Sequence, residues 1–464
     1  MTIWQPSLEG RTGPRYIAIA DALANDLAAG RFAAGERLPT HRDLAWRLGV
    51  TVGTVSRAYA EAGRRGLVSG EVGRGTFVRA ALPLEAQVMT VAPDAGPGFI
   101  DLNFNFPPSG GEEQALRATL NAIAAAPDSA ALLAYQSHAG LPAHRAAASQ
   151  WLARYGLEAP AERIAITAGA QHAILVTFAA LTRPGDRILT EALTYPGVQL
   201  AARMLGLRLD GLPLDGEGLL PEAFEAACRN NDVKALYCIP TLHNPTTVTL
   251  PETRRRAIAE IATRHGVAIV EDDIFRLMAP KAPPPISSFA PERGYFITSL
   301  SKTTAPGLRV GFIAAPEGSF DRIASALRTV CWMATPLTAE IAARWIRDGT
   351  AARILEARRA EMSARRGQVL DTLQGHRVDC PDGSLHFWLH LPEPWRSADF
   401  AAEAKRRGVG VTPAEAFAVG RSNLTHAVRL CHGAPASRAI LDQALAAVQD
   451  LLSETPPEPF GSLV

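Results

Sequence analysis

From residue 99 onward, short apolar runs alternate with stretches of helical pattern over more than 150 residues. Such alternation is typical of an α/β fold, a mostly parallel sheet covered by helices on both faces. The runs predicted to be strands are 163–167, 187–191, 235–240, 267–272, 295–300 and 310–316. Ligands of such sheets bind at the carboxyl ends of the strands. The residues that follow each run are therefore the first candidates for chemistry.

Polar side chains follow three of these runs, and small residues follow a fourth. Asn244 comes after the third run, Asp272 ends the fourth, and Lys302 follows the fifth within SLSKTTAPGLR. After the first run, AGAQHAI opens a helix whose N-terminal amides suit a phosphate group. A phosphate cradle, an amide, a carboxylate and a lysine on one rim match the needs of pyridoxal 5′-phosphate. Each residue alone is more often part of a turn or a loop, and their joint order is what indicates the cofactor.

Lysine is scarce in this chain. The 47 basic residues include only four lysines, at positions 234, 281, 302 and 405. Coding bias explains the scarcity, but it leaves only four candidates for chemistry that needs a primary amine. Lys302 alone follows a buried type of strand within a Ser/Thr-rich turn, whereas the other three lie in polar or Pro-rich contexts typical of a surface. Lys302 is therefore the predicted cofactor lysine.

The first 80 residues differ in charge from the remainder. They contain 11 arginines and 7 acidic residues, a net charge of +4, whereas the whole chain has a net charge of +1. A small basic module is thus attached to a mildly acidic body. Between them, 81–98 contains Pro and Gly and has no helical stripe, which predicts a linker. The predicted domains are 1–80, the linker 81–98 and the body 99–464.

Residues 14–78 have the pattern of a winged helix-turn-helix. Pro14 can open a first helix, and Thr40, followed three residues later by an acidic residue, can cap a second that stops at Gly49. A third helix begins at Thr51, and the β-prone runs LVSG and TFVRA follow it as a hairpin. This order predicts a DNA-binding module and a double-stranded operator as its partner.

The second helix of a helix-turn-helix pair enters the major groove with its N-terminal residues toward the base edges. Arg57 can contact guanine or phosphate there, and Arg74, between two glycines at the predicted wing tip, can enter a minor groove. For Val52, Val55 and Tyr59 of the same helix, the core is the predicted location. The predicted DNA-contacting residues are Thr40, Arg42, Thr51, Thr54, Ser56, Arg57 and Arg74.

Residues 35–78, GERLPTHRDLAWRLGVTVGTVSRAYAEAGRRGLVSGEVGRGTFV, resemble the GntR family of bacterial regulators. Ala62 and Gly63 stand where a bulkier apolar residue is usual. The body resembles PLP-dependent transferases of fold-type I, the aspartate aminotransferase-like class, over about residues 99–450. The combination is similar to the MocR subfamily of transcriptional regulators, and the resemblance covers nearly the whole chain.

The resemblance implies a role for each matching residue. Lys302 would bind the cofactor covalently, and Arg429 in AVRLCHGA would take the α-carboxylate of an amino acid. Tyr135 would reach the phosphate in the partner subunit, which implies a head-to-tail homodimer with shared sites. The phosphate-binding set would be Ser299, Ser301, Arg309, Ala170 and Gln171, and the ring-binding set would be Asp272 at the pyridine nitrogen, Asn244 at the ring hydroxyl and Tyr195 stacked on the ring.

One departure from the family pattern concerns the cofactor ring. The family usually has a tyrosine two or three residues after the pyridine-binding aspartate, and its hydroxyl supports the ring oxygen. Ile274 and Phe275 occupy these positions here. The loss of that hydrogen bond would tune the cofactor less well for transamination without preventing its binding. His243 is a candidate for a replacement polar contact.

Two functions remain open from the sequence. The first is a transcriptional regulator that senses an amino-acid-like effector, and the alternative is a PLP-dependent aminotransferase, with or without a regulatory role. A scaffold protein would require both motif sets to be accidental. No stretch approaches the ~20 apolar residues of a membrane span, and the N-terminus lacks a signal-peptide pattern, so a cytoplasmic location is expected. Five scattered cysteines without CxxC pairing indicate neither a disulfide framework nor a metal site.

Overall fold

The computed structural model describes residues 4, 6, 14–28, 31–32, 35–64, 67–71, 75–78, 98–420 and 426–454. These residues belong to two compact units, one containing the described residues up to 78 and the other those from 98 onward. The predicted linker, 81–98, lies outside the described residues except for Gly98. Among the described residues, no helix is long and apolar enough to cross a membrane.

The first unit is a winged helix-turn-helix, as predicted. Its elements are α1 (Arg15–Ala28), α2 (His41–Leu48), α3 (Val52–Arg64), β1 (Val68–Glu71) and β2 (Gly75–Val78). The Thr40 side chain accepts a hydrogen bond from the Asp43 backbone N–H at 3.2 Å, and Gly49, with φ of 61°, ends α2. The strands pair antiparallel, with Val68 opposite Val78. The cap, the stop and the hairpin agree with the sequence signals.

The core of the first unit lies between its helices and the wing. Leu23, Leu44, Val55 and Tyr59 are buried in it. The prediction for Val52 was wrong, because this side chain is 45% exposed. Val52 is the first residue of α3, and at this end of the helix the described residues leave much of its side chain exposed.

The second unit has fifteen strands and eleven α-helices among its described residues. The strands are β3 (Ile100–Asp101), β4 (Ile164–Thr167), β5 (Arg187–Glu191), β6 (Arg208–Leu212), β7 (Leu214–Asp215), β8 (Gly218–Leu219), β9 (Val233–Cys238), β10 (Ala268–Asp272), β11 (Gly294–Ser299), β12 (Gly311–Ala314), β13 (Val378–Asp379), β14 (Phe387–His390), β15 (Val409–Gly410), β16 (Thr412–Pro413) and β17 (Ala427–Leu430). The helices are α4 (Glu112–Ala124), α5 (Pro142–Ala153), α6 (Ala170–Leu181), α7 (Pro196–Met204), α8 (Pro221–Asn230), α9 (Glu252–His265), α10 (Phe320–Cys331), α11 (Pro336–Arg347), α12 (Thr350–Thr372), α13 (Ser397–Arg406) and α14 (Arg438–Leu452).

A seven-stranded sheet forms the centre of this unit, in the order β4-β12-β11-β10-β9-β5-β6. All six predicted strands belong to it, and β6 is an addition that the sequence analysis missed. Neighbouring strands are parallel except around β12, which is antiparallel to β11 and to β4. The prediction of a mostly parallel sheet is confirmed. Since β4, β9, β10 and β11 all run in one direction, the residues that follow them lie at one edge of the sheet.

A second, smaller core lies around the four-stranded antiparallel sheet β13-β14-β17-β16. Helices α12 and α14 pack against each other and contribute to this core. The strand β3 lies apart from both sheets and pairs in parallel with β15. The chain continues from β3 into residues 103–105, which reach the candidate site described below.

Candidate functional site

Four of the predicted DNA-contacting residues of the first unit lie at the starts of α2 and α3. Thr51 and Thr54 hydrogen-bond each other at the start of α3, with 2.9 Å between their hydroxyl oxygens. The Thr54 backbone N–H also donates to the Thr51 hydroxyl, at 3.1 Å. Arg42 and Arg57 have exposed side chains. Their DNA contacts remain predictions.

Two other predicted DNA residues use their hydroxyls within the unit. The Thr40 hydroxyl donates to Asp43 Oδ2 at 2.7 Å, which completes the cap of α2. Ser56 Oγ lies 3.0 Å from His41 Nδ1, so this half-buried hydroxyl links α3 to α2. Arg74 lies outside the described residues.

Lys302 lies in the turn after β11, and its side chain is half-buried. Its Nζ donates a hydrogen bond to the backbone carbonyl of Asn105. Burial lowers the pKa of Lys302 to about 8, and the nearby Arg429 and Arg309 cations also lower it. Because a lower pKa increases the neutral fraction of an amine, Lys302 is suited to attack an aldehyde carbon.

Asp272 ends β10 with its side chain 2% exposed. Its Oδ2 accepts a hydrogen bond from the Tyr237 hydroxyl at 2.6 Å, while Oδ1 has no hydrogen-bond partner among the described residues. Burial raises the pKa of Asp272 to about 6, and the Tyr237 hydrogen bond and the Lys302 charge oppose that rise. A buried carboxylate oxygen without a donor needs a partner, and a protonated ring nitrogen would supply one.

The start of α6 approaches Arg309 closely. Gly169, just before α6, has φ of 91°, and a Cβ built on it would lie 2.5 Å from Arg309 Nη2. Arg309 Nη2 donates to the Ala168 carbonyl at 3.2 Å. The helix N-terminus and the guanidinium thus lie side by side with room for no side chain between them, which is a favourable arrangement for an anion.

The two serines of SLSK lie on the same side of Arg309. Arg309 Nη1 donates to Ser301 Oγ at 3.4 Å, and the Ser301 backbone N–H donates to Ser299 Oγ at 3.3 Å. The structure therefore brings together the predicted phosphate-binding residues Ser299, Ser301 and Arg309 with Ala170 and Gln171 at the start of α6.

Tyr195 and Gln171 meet at Gly197, near the start of α7. Gln171 Nε2 donates to the Gly197 carbonyl at 2.9 Å, and a Cβ on Gly197 would collide with both side chains. Burial, and next the negative charge of Asp272, raise the pKa of Tyr195. Its stacking on the cofactor ring stays a prediction.

Arg429 lies in β17 with its side chain 1% exposed. Its Nη1 donates to Asn244 Oδ1 at 2.8 Å, and its Nη2 donates to the Asn103 carbonyl and, at 3.4 Å, to the Thr412 hydroxyl. Burial lowers the pKa of Arg429. Because Asn244 Oδ1 accepts from Arg429, the amide nitrogen of Asn244 is the group suited to donate to the cofactor hydroxyl.

The sequence analysis missed the residues that connect these groups. Asn105 Nδ2 lies 2.9 Å from His386 Nδ1, and His386 Nε2 lies 3.2 Å from the His243 carbonyl. The amide nitrogen can only donate and the carbonyl can only accept, so Nε2 carries the proton of His386. No motif marks these residues, because their partners are far apart in the chain.

His386, and not His243, is the histidine beside Phe275. The rings of Phe275 and His386 have centroids 5.7 Å apart. His243 Nδ1 is 2.8 Å from the Thr246 hydroxyl, and its Nε2 is 3.9 Å from Glu191 Oε1. Phe275 is buried and packs in the core.

Tyr135 lies on the surface of the single chain. Its side chain is 83% exposed, and its ring meets that of Trp332 edge to face with 5.8 Å between centroids. Its role at the cofactor phosphate of a partner subunit stays a prediction.

Comparison with known proteins found matches to both of the families that the sequence resembles. The family model for aminotransferase class I and II matches residues 97–448, and that for bacterial regulatory proteins of the gntR family matches residues 15–78. The HTH-type transcriptional regulator YdeF of Bacillus subtilis (strain 168) is 33% identical over 453 residues, 97% of each chain. The chain belongs to the MocR subfamily of GntR-family transcriptional regulators. It has a DNA-binding domain and an aminotransferase-like domain.

This MocR protein is also similar to a second transcriptional regulator and to an aminotransferase of known structure. The HTH-type transcriptional regulator YjiR of Escherichia coli (strain K12) is 26% identical over 411 residues, 82% of this chain and 86% of YjiR. Among solved structures, an archaeal alanine:glyoxylate aminotransferase has a TM-score of 0.71 at 26% identity, covering 85% of this chain and 99% of that chain. The cofactor of this fold is pyridoxal 5′-phosphate. The unpartnered Oδ1 of Asp272 and the tight approach of Gly169 to Arg309 fit that group.

Proposed function

We propose that the aminotransferase-like domain senses an amino-acid-like effector and thereby controls operator binding by the winged helix-turn-helix. When bound, pyridoxal 5′-phosphate supplies an aldehyde carbon to which primary amines add reversibly. Lys302 would supply the resident amine, Asp272 would hold the ring nitrogen, and Arg309, the serines of SLSK and the start of α6 would hold the phosphate. The protein acts in the cytoplasm, where operator DNA is found.

The observation that carries the proposal is the shared support of Lys302 and Arg429. Lys302 Nζ donates to the Asn105 carbonyl, and Arg429 Nη2 donates to the Asn103 carbonyl. The carbonyls that accept from the Lys302 amine and from the buried Arg429 guanidinium thus lie two residues apart on one segment. An α-amino acid carries an amine and a carboxylate at matching ends, so it can engage both groups.

The same segment offers a route for the signal. Residues 103–105 follow β3, and β3 follows the predicted linker, which ends at Gly98. A carboxylate on Arg429 would compete with the Asn103 carbonyl, and an effector amine that takes the place of Lys302 at the cofactor would free Nζ to donate to the Asn105 carbonyl. Both changes act on the stretch of chain that leads toward the DNA-binding unit. The resulting coupling is limited by the effector's difference in affinity between the two arrangements.

An absorbance titration tests the effector class. The cofactor-loaded protein is titrated with α-amino acids, with primary amines that lack a carboxylate, and with carboxylates that lack an amine. The proposal predicts saturable spectral change with amino acids, and change at much higher concentration with plain amines. Equal responses to amino acids and plain amines would remove Arg429 from the effector site.

A homodimer completes the proposal. Leu133, Tyr135 and Trp332 expose large apolar or aromatic surfaces on the second unit. Coverage by a second copy would bury these side chains and bring Tyr135 to the phosphate of the partner in a head-to-tail arrangement. Light scattering with Tyr135→Ala and the wild type, together with cofactor affinity, tests this assignment, and a monomeric wild type would contradict it.

The alternative function is an aminotransferase. The observation that favours it is the intact set of Lys302, Asp272 and Arg429 in one buried site. Steady-state turnover with a panel of amino and keto acids distinguishes the two. Rates of about 1–10³ s⁻¹ are ordinary for enzymes and would favour catalysis as the main role. Phe275 in place of the usual tyrosine favours slow turnover.

A further inference from the structure

A buried phenol contacts the carboxylate of Asp272. The Tyr237 hydroxyl donates to Asp272 Oδ2 at 2.6 Å, and Tyr237 is fully buried. We propose that Tyr237 is a positioning residue that holds one oxygen of Asp272, so that the other faces the ring nitrogen of the cofactor. The inference rests on the proposed role of Asp272. It names a residue for which the sequence carries no motif.

Strand geometry explains why these two side chains meet. β9 and β10 are parallel neighbours, and Val270 lies opposite Tyr237 in their register. Side chains two residues apart along a strand point to the same face of the sheet, so Asp272 lies one step beyond Val270 on that face. The long tyrosine side chain spans this step. Its ring also meets Phe178 of α6 edge to face, with centroids 6.2 Å apart, which restricts its orientation.

The Tyr237 hydroxyl affects the protonation of the Asp272 carboxyl. Its titratable neighbours are Tyr237, Lys302 and Tyr195. Burial raises the pKa of Tyr237 well above its ordinary value, so the phenol stays protonated and acts as a donor. The hydrogen bond from Tyr237 lowers the pKa of Asp272, which burial raises. Loss of this donor therefore favours the neutral carboxyl, which pairs poorly with a protonated ring nitrogen.

A second buried tyrosine provides the matched control. Tyr155 is fully buried in the same core, its ring meets Phe296 edge to face at 5.5 Å, and its hydroxyl accepts from Thr298 at 2.9 Å. Its hydrogen bonds involve none of the proposed cofactor residues. Tyr155→Phe therefore removes a buried hydroxyl without touching Asp272, whereas Tyr237→Phe removes the one that holds it.

The test is the dissociation constant for pyridoxal 5′-phosphate. Full-length wild type, Tyr237→Phe, Tyr155→Phe and Asp272→Asn are stripped of cofactor and titrated with it between pH 5.5 and 8.5, and thermal unfolding checks that each is folded. We expect Tyr237→Phe to bind about tenfold more weakly at pH 7, since a hydrogen bond to a charged group is lost. As the pH is lowered, the cofactor affinity of Tyr237→Phe should begin to fall at a higher pH than that of the wild type. Tyr155→Phe should have the wild-type dissociation constant at each pH.

Two outcomes would overturn the inference in distinguishable ways. Identical pH profiles for Tyr237→Phe and Tyr155→Phe, with weak binding by Asp272→Asn, would mean that Tyr237 only packs. Wild-type affinity in Asp272→Asn would mean that Asp272 does not face the ring nitrogen, and the proposed role of Asp272 would fail together with the inference.

Discussion

Lys302 and Arg429 donate to backbone carbonyls two residues apart, those of Asn105 and Asn103. Lys302 follows a strand of the large sheet, whereas Arg429 lies in the small sheet. The segment 103–105 therefore joins the proposed amine-exchanging lysine to the proposed carboxylate-binding arginine. Any ligand that engages both ends acts on this segment.

Substitution of Lys302 tests the covalent anchor. We expect Lys302→Ala to lose the visible absorbance band of the bound cofactor, because no other lysine lies in the site. Lys234→Ala is the control, since Lys234 pairs with Asp232 at 2.9 Å away from the site. Absorbance spectra of the two purified variants at equal concentration provide the measurement. A visible band retained in Lys302→Ala would remove Lys302 from this role.

Gly169→Ala tests the phosphate cradle. An added Cβ would lie 2.5 Å from Arg309 Nη2, so we expect cofactor affinity to fall at least about tenfold, the effect of losing a charge-assisted hydrogen bond. Gly185 has the same φ of 91° and nothing within 4 Å of a built Cβ. Gly185→Ala therefore also places an alanine at a positive φ, but without filling the cradle. Equal cofactor affinities in the two variants would contradict the assignment.

The buried carboxyl of Glu191 should make the stability of the folded protein depend on pH. Burial raises the pKa of Glu191 from 4.5 to about 7. The folded protein therefore holds a proton that the unfolded chain releases, and this stabilisation is present below about pH 4.5 and is lost as the pH rises through 7. We expect the free energy of unfolding of Glu191→Gln to fall less between pH 5 and 8 than that of the wild type, by up to about 3 kcal/mol.

Urea unfolding of the large unit at several pH values measures this difference. Glu158→Gln is the control, because Glu158 is exposed, and it should retain the wild-type slope. A Glu191→Gln slope equal to that of the wild type would mean that the Glu191 carboxyl titrates normally in the folded protein.

Arg57→Ala tests the DNA-binding face. Arg57 is exposed on α3, and we expect its loss to weaken operator binding by about 1–3 kcal/mol if it contacts a guanine. If it contacts a phosphate, affinity falls equally for all sequences and the salt slope decreases by about 1. Arg31→Ala is the control, since Arg31 pairs with Asp26 at 3.1 Å. Unchanged affinity of Arg57→Ala at fixed salt would mean that α3 does not contact the operator at Arg57.

The sequence predicted the elements of this protein better than the contacts between them. Local signals such as the Thr40 cap and Gly49 located α2, and apolar runs located six strands of the large sheet. The strand β6 was missed because its sequence, RLDGL, is largely polar and only its last residue is buried. Val52 was misplaced because helical period alone does not tell where the covering elements end.

The sequence predicted the site residues that lie within a recognisable motif. It missed the residues whose contacts depend on the register between strands. Lys302, Asp272 and Asn244 follow strands at one edge of the sheet, so topology alone brings them together. Tyr237 meets Asp272 through the register of β9 against β10, which the sequence of either strand does not reveal. Asn103 and Asn105 act through backbone carbonyls, and every residue has one.

Operator affinity measured with and without amino acid tests the central claim most directly. The cofactor-loaded protein is titrated with operator DNA at fixed salt, in the presence of an amino acid that changes its absorbance. We predict a change in operator affinity of about fivefold or more in the wild type. Arg429→Gln should bind the operator like the effector-free wild type and should not respond. Unchanged wild-type affinity with every amino acid that alters the cofactor spectrum would contradict the claim that this domain regulates DNA binding.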